Sequence, residues 1–173
     1  MPTAKSVYQT ALDLLSRRDH FRRELEDKLR RRDLPDDEIA AAIERCEDLG
    51  LIDDERVAKR FVEVRAGSRG WGPRRLAGEL QQRGVSHENA ERFAALKPEL
   101  AEDALRTALR KLEIRAPLMW WRDGQRQARM VSSLITRGFE AEVAIAAVNA
   151  LAAFRENHND ALDDQQGNPT DLS

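Results

Sequence analysis

Apolar residues recur along this chain at intervals of three and four, the spacing that places them on one face of an α-helix. Val7, Ala11 and Leu14 form one such stripe, and similar stripes follow along the chain. A pattern that alternates apolar and polar residues, typical of β-strands, is almost absent. The sequence therefore predicts an all-α protein.

One short phrase occurs three times at a period of about fifty residues, which indicates an internal repeat. Each copy has an apolar residue, a leucine four positions later, an arginine after three more, and then Gly or Asp followed by an apolar residue. The copies begin at Leu25, Leu76 and Met130. We expect Gly84 and Gly138, which follow the arginine, to close a helix in the left-handed conformation. Asp33 has this position in the first copy and tolerates the conformation less well than glycine, so we expect a different turn there.

Around each copy the pattern predicts a unit of three helices. We divide the chain into a first three-helix repeat (1–52), a second (53–98), a third (99–154) and a disordered tail (155–173). Single units of this size bury little apolar surface, so we expect the repeats to stack into an elongated, curved solenoid.

Helix boundaries are also visible in the sequence. Asp53 and Ser86 stand where a side chain can cap a helix start, and Pro73 suits a first helical turn. Gly67, Gly70 and Gly72 predict a flexible break between two helices of the second repeat.

The formal net charge of −2 conceals a segregation of charge. Lys and Arg outnumber Asp and Glu in three blocks, each of which contains the arginine of one copy of the repeated phrase. These basic blocks are 1–35, 56–83 and 105–138, and the segments after them are acidic. We therefore expect separate basic and acidic surfaces, with the acidic residues mainly capping helices and pairing with neighbouring arginines.

The basic blocks supply the candidate binding residues, because arginine is a planar multiple donor that suits phosphate and carboxylate oxygens. The alternative is an ordinary solvated helix face. Arg122, Arg126 and Arg129 share one helical face. The complete set of candidates is Arg22, Arg23, Lys28, Arg69, Trp71, Arg74, Arg75, Arg83, Arg122, Arg126, Arg129 and Arg137.

Tryptophan leaves two interpretations open. Trp71 lies between glycines and beside basic residues, so it can stack on a base or anchor a partner, or it can pack within the protein. The same alternatives hold for the adjacent Trp120 and Trp121, of which only one can enter a given core if the segment is regular.

Several classes of function lack the residues that they need. Cys46 is the single cysteine, the three histidines are isolated, and no Gly-rich loop follows a predicted strand. We predict a protein that is not an enzyme and binds no metal or cofactor. Neither a secretory signal nor a membrane span is recognisable, so we expect a cytoplasmic protein.

Longer phrases carry a family resemblance over about residues 6 to 153. Arg23-Glu24-Leu25, Gly50-Leu51-Ile52-Asp53-Asp54 and Leu80-x-x-Arg83-Gly84-Val85, in this order, resemble the RecX family of regulators of the RecA recombinase. The resemblance implies three tandem three-helix repeats. It also implies binding in the groove of the RecA filament and inhibition of RecA ATPase, strand exchange and coprotease activity.

Two functions of different classes remain. The first is a monomeric regulator, active in recombination, DNA repair and the SOS response, that contacts RecA together with single- or double-stranded DNA. The second is an autonomous helix-turn-helix DNA-binding protein. The last helix of each repeat is acidic, which is unfavourable for insertion into the major groove, so we favour the regulator.

Overall fold

The computed structural model of the chain describes residues 6–166, with side chains through residue 158. Within this range the protein has nine α-helices, one short 3₁₀ helix and no strand, which confirms the all-α prediction. The helices are α1 (Val7–Leu15), α2 (Arg22–Arg30), α3 (Asp36–Asp48), α4 (Asp54–Arg69), α5 (Pro73–Gln82), α6 (His87–Ala94), α7 (Pro98–Glu113), α8 (Gly124–Thr136) and α9 (Ala141–Gln166). The 3₁₀ helix is Trp120–Arg122, between α7 and α8.

The repeated phrase forms the second helix of each set of three and the turn that ends it. Its apolar positions on α2, α5 and α8 are all buried. The closing residues adopt positive φ angles of 54° at Asp33 and 92° at both Gly84 and Gly138. The backbone of Asp33 therefore has a conformation that glycine adopts at no steric cost.

The predicted helix starts are largely confirmed. The Asp53 carboxylate accepts a hydrogen bond from the Arg56 backbone N–H at 2.9 Å, and Ser86 accepts one from Asn89 at 3.4 Å. Helix α5 begins at Pro73. The predicted break at Gly67 is wrong, because α4 continues through this residue to Arg69. A Cβ atom added at Gly67 would meet no other atom within 4 Å, so no close contact requires glycine at this helical position.

The chain forms two compact units. Unit 1 comprises Met1–Arg65 and Leu76–Leu96, and unit 2 comprises Ala66–Arg75 and Lys97–Ser173. Helices α4 and α5 thus each contribute to both units. The division into three repeats at residues 52 and 98 stays a prediction.

Unit 1 has its main core where α1, α2 and α3 pack together. Leu25, Leu29, Ile39 and Ile43 are almost completely buried at its centre. Cys46 lies in the same core, and burial raises the pKa of its thiol, as expected for an unreactive cysteine.

Unit 2 has a core formed by α7, α8, α9 and the 3₁₀ helix. Leu134, Val148 and Trp120 are buried in it. Trp121 is half-buried and meets Trp120 edge to face, with ring centroids 6.3 Å apart. Trp120 is therefore a core residue, and the two indoles differ in environment as their adjacency predicts.

Helix α9 extends to Gln166, so the predicted tail from residue 155 overlaps the end of this helix. Residues 167–173 of that tail lie outside the described residues. None of the helices between residues 6 and 166 is both long and apolar enough to cross a membrane.

Candidate basic binding surface

The structure divides the predicted binding residues between the two units. Arg22, Arg23, Lys28 and Arg83 belong to unit 1. The others belong to unit 2: Arg69, Trp71, Arg74, Arg75, Arg122, Arg126, Arg129 and Arg137.

In unit 1 the candidate cations are mostly neutralised by carboxylates. Arg22 pairs with Glu47 at 2.8 Å, and Lys28 pairs with Glu24 at 3.2 Å. Arg83 pairs with Glu79 at 2.8 Å, and its guanidinium lies 4.7 Å from the centroid of the Phe61 ring. The Arg23 side chain packs against Gly84. These contacts match the interpretation of a solvated, internally paired helix surface.

In unit 2 a close backbone approach places the start of α5 beside the end of α8. The Gly72 N–H donates to the Arg137 carbonyl at 2.7 Å, and the Arg74 N–H donates to the Gly138 carbonyl at 3.2 Å. A Cβ atom at position 72 would lie 2.6 Å from the Gly138 carbonyl carbon. Only glycine fits at position 72, so the Gly70 to Gly72 segment is a packed junction rather than a flexible break.

This junction arranges Trp71 and Arg75 as a stacked pair. The Arg75 guanidinium carbon lies 4.3 Å from the centroid of the Trp71 ring, within cation–π distance. Trp71 is half-buried. Arg75 therefore covers the indole ring. Of the two interpretations of Trp71, these contacts support packing within the protein.

Arg75, Arg115 and Arg137 form what we call the arginine cluster. Burial and then the positive charges of Arg115 and Arg75 lower the pKa of Arg137 below its ordinary value. Among the side chains of residues 6–158, none of the three arginines has a carboxylate partner within 4.0 Å. Because arginine does not give up its proton near neutral pH, the repulsion remains in the folded protein.

Helix α8 extends the positive charge beyond the cluster. Arg126 pairs with Asp123, the residue that caps the helix, at 2.9 Å. Arg129 is exposed and has no ion pair within the described part of the chain. Arg122, which precedes the helix, makes a contact within the protein. The predicted common helical face is therefore wrong for Arg122, because this residue ends the 3₁₀ helix and α8 begins only at Gly124.

The remaining unit 2 candidates flank this surface. Arg74 pairs with Glu140 at 2.6 Å and is mostly exposed, and Arg69 is an exposed residue at the end of α4. The structure adds Arg115, which the sequence analysis did not select. Arg115 follows α7 in an irregular linker, where no helical spacing relates it to other basic residues.

Metal chemistry has no visible basis in the described residues. Across residues 6–158, no group of three or more His, Cys, Asp or Glu side chains is placed to hold a metal ion. The unit 2 surface instead offers guanidinium donors, which bind anions.

An all-helical chain with a repeated three-helix unit belongs to the class of helical-repeat proteins. Two family models match it: the RecX first three-helix domain at residues 8–46 and the RecX second three-helix domain at residues 53–92.

Curated relatives agree with this match. The regulatory protein RecX of Pseudomonas entomophila strain L48 is 34% identical over 151 residues, which cover 83% of this chain and 90% of the relative. The RecX of Pseudomonas syringae pv. tomato is 44% identical over 92 residues, which cover 53% of this chain. That match spans only 59% of the relative's length. The chain belongs to the RecX family.

Solved structures support the same fold. The crystal structure of RecX from Lactobacillus salivarius matches with a TM-score of 0.70 and 29% identity, over 84% of this chain and 94% of that chain. A second crystal structure of a regulatory protein RecX matches with a TM-score of 0.66 at 22% identity, a likeness of fold.

Proposed function

We propose that this protein is a non-catalytic regulator that binds the RecA–DNA filament and inhibits RecA ATPase, strand exchange and coprotease activity. Membership of a family of proteins named as regulatory supports the general class. The observation that carries the binding surface is the arginine cluster of unit 2, which has no carboxylate partner among the described side chains.

An arginine cluster without a counter-ion favours the binding of an external anion. Bringing a phosphate or carboxylate to Arg75, Arg115 and Arg137 relieves their mutual repulsion and adds charge-assisted hydrogen bonds. The partly buried guanidinium of Arg137 interacts with such an anion more strongly than a fully solvated one would. A DNA–protein filament offers both phosphates and carboxylates, so it provides suitable ligands along its length.

Inhibition follows if binding holds adjacent RecA protomers in one arrangement, or if it blocks the addition of new protomers to the filament. In either case the affinity is the sum of several modest contacts. The protein acts as a monomer in the cytoplasm, requires no cofactor, and contacts single- or double-stranded DNA only as part of the filament.

The test is a titration of this protein into RecA hydrolysing ATP on single-stranded DNA, with binding to free DNA measured at the same salt concentration. We expect inhibition at protein concentrations that leave most of the free DNA unbound. Tight binding to bare DNA without inhibition below DNA saturation would contradict the proposal and indicate an autonomous DNA-binding protein.

A further inference from the structure

A concave pocket of about 230 Å³ opens beside the arginine cluster, between α7, α8 and the linker that joins them. We call it the linker pocket. Its apolar wall consists of Leu112, Pro117, Trp120 and Met130. Trp120 and Met130 are core residues that are 2% and 6% exposed, so the wall is fixed by the packing of unit 2.

Three arginines, Arg115, Arg126 and Arg129, also line the pocket. Arg115 also belongs to the arginine cluster, so this residue is common to the pocket and the cluster. Asp123 pairs with Arg126 at 2.9 Å, whereas Arg115 and Arg129 have no ion pair among residues 6–158. The pocket therefore joins an apolar wall to a positively charged rim.

The charged side chains of the pocket offer donors only, because arginine has no acceptor atom. The fourth polar residue, Ser133, donates its hydroxyl hydrogen to the Arg129 carbonyl at 2.8 Å, so its oxygen is the one side-chain acceptor among the residues that line the pocket. A nucleobase presents donors as well as acceptors and binds best against an open aromatic face. Trp120 is buried and offers no such face, so this chemistry is unfavourable for a base.

We propose that the linker pocket binds an acidic peptide segment of a partner protein, with one large apolar side chain inserted against Leu112 and Met130. Carboxylates on both sides of that side chain pair with Arg115 and Arg129. This proposal rests on the proposed function, because the acidic peptide segment then belongs to the protein of the filament and not to its DNA.

The charge of the pocket agrees with this occupant. Arg115 and Arg129 both line it, so carboxylates next to one inserted apolar side chain can pair with both guanidinium groups. Anchoring of an interface by one apolar side chain in a pocket, with charged groups at the rim, is common among protein complexes.

The direct test uses five fluorescein-labelled peptides of the form Asp-Glu-X-Glu-Asp, in which X is Phe, Leu, Met, Trp or Ala. Fluorescence anisotropy measures their binding to the full chain. We expect the peptides with a large apolar X to bind about tenfold more tightly than the Ala peptide, the change that corresponds to burying about two methylene groups.

The variant for this test is Arg115→Gln with Arg129→Gln, and the matched control is Arg106→Gln with Arg110→Gln. The control residues lie on α7 in the same unit and do not line the pocket. We expect the pocket variant to lose at least about tenfold in affinity for the Phe peptide, since two charge-assisted hydrogen bonds are removed. The control should bind like the unmodified chain.

Equal binding of all five peptides, no binding of any peptide, or equal losses in variant and control would overturn the pocket proposal. A thymidine oligonucleotide is tested as a competitor of the Phe peptide. If it displaces the peptide, and if its own binding is lost in the Arg115→Gln, Arg129→Gln variant, the pocket proposal is overturned and the ligand is a nucleic acid. RecA ATPase inhibition by the unmodified chain is scored separately. Inhibition without peptide binding rejects the pocket proposal alone, and peptide binding without inhibition rejects the proposed function alone.

Discussion

Helices α2 and α8 carry equivalent copies of the repeated phrase, yet their arginines have different surroundings. On α2, Lys28 pairs with Glu24 at 3.2 Å and Arg30 pairs with Glu26 at 2.7 Å, each four residues earlier on the same helix. Helix α8 contains no Asp or Glu at all. Its Arg129 and the following Arg137 have no carboxylate partner within the described residues.

The difference shows that the arginines of a basic block pair within their own helix only where acidic residues stand at helical spacing from them. Both helices belong to blocks with an excess of positive charge, but α2 contains carboxylates that pair with Lys28 and Arg30, whereas α8 contains none. The two helices also have equally buried leucines. We therefore expect core substitutions to affect both units alike and charge substitutions to separate them.

The largest effect should come from core substitutions. Leu25→Ala in unit 1 and Leu134→Ala in unit 2 each remove a side chain that is 0% exposed. We expect each to lower the free energy of unfolding by about 2–5 kcal/mol, measured by chemical denaturation. A loss well below this range at only one of the sites would contradict the equivalence of the two cores.

The next effect distinguishes two glycines that have the same φ angle of 92°. At Gly84 an added Cβ would meet the flexible Arg23 side chain, whereas at Gly138 it would lie 2.3 Å from the Arg75 backbone nitrogen. We expect Gly84→Ala to cost about 1–2 kcal/mol, the strain of the left-handed conformation. Gly138→Ala should cost more, because the backbone of α5 must also move away.

Thermal or chemical denaturation of the two glycine variants checks this ordering. Gly138→Ala should also weaken RecA filament binding by displacing Arg75 from Arg137. Equal stability losses would mean that the Arg75 backbone does not approach Gly138 closely in solution.

A smaller effect is expected from charge reversal on α2 and on the segment from Arg122 to Arg129, which contains the start of α8. Replacing Arg122, Arg126 and Arg129 with Glu should weaken filament binding by about a hundredfold, since each charge-assisted hydrogen bond contributes on the order of 1 kcal/mol. The same reversal of Arg22, Lys28 and Arg30 on α2 should have less effect. Circular dichroism should show an unchanged helix content for the α8 variant, and an unaltered inhibition by that folded variant would remove this face from the account.

The smallest effect concerns pH and unit 1. The His20 ring is buried, its Nδ1 donates to the Arg18 carbonyl, and its Nε2 accepts from Lys28, both at 2.8 Å. Burial lowers the pKa of His20 below 6.5, and the charges of Arg18 and Lys28 lower it further, against the opposite effects of the Arg18 carbonyl and Glu24.

The unfolded chain therefore binds a proton at His20 at a higher pH than the folded chain does. The stability contributed by neutral His20 is fully present above pH 6.5 and decreases as the pH falls from 6.5 through the folded pKa. We expect this decrease in unfolding experiments on the unmodified chain and a weaker one in His20→Gln. Identical pH profiles would assign the decrease to other groups.

Much of the fold can be predicted from local patterns, because helical periodicity, caps and the repeated phrase are properties of neighbouring residues. The arginine cluster cannot be predicted in this way. It depends on the backbone contact between Gly72 and Gly138, which are distant in sequence, and on the irregular linker that positions Arg115. The glycines at 70 and 72 resemble a flexible turn in the sequence, although Gly72 is in fact required by packing.

The sequence nevertheless carries a clear signal for the surface. The absence of acidic residues from α8 distinguishes it from α2 without any structure. Ion pairs between residues that are far apart in the sequence, such as Arg22 and Glu47 at 2.8 Å, have no equally simple sequence signature.

The most direct test of the central claim is the affinity for RecA filaments, measured over a range of salt concentrations, of two triple variants. One replaces Arg75, Arg115 and Arg137 with Gln, and the other replaces the paired Arg22, Arg30 and Arg83 with Gln. We predict a large decrease in affinity for the first variant, with a salt dependence that falls by about 0.9 for each phosphate that the variant no longer neutralises, and little change for the second. Equal decreases in the two variants, or a decrease only in the second, would contradict the account.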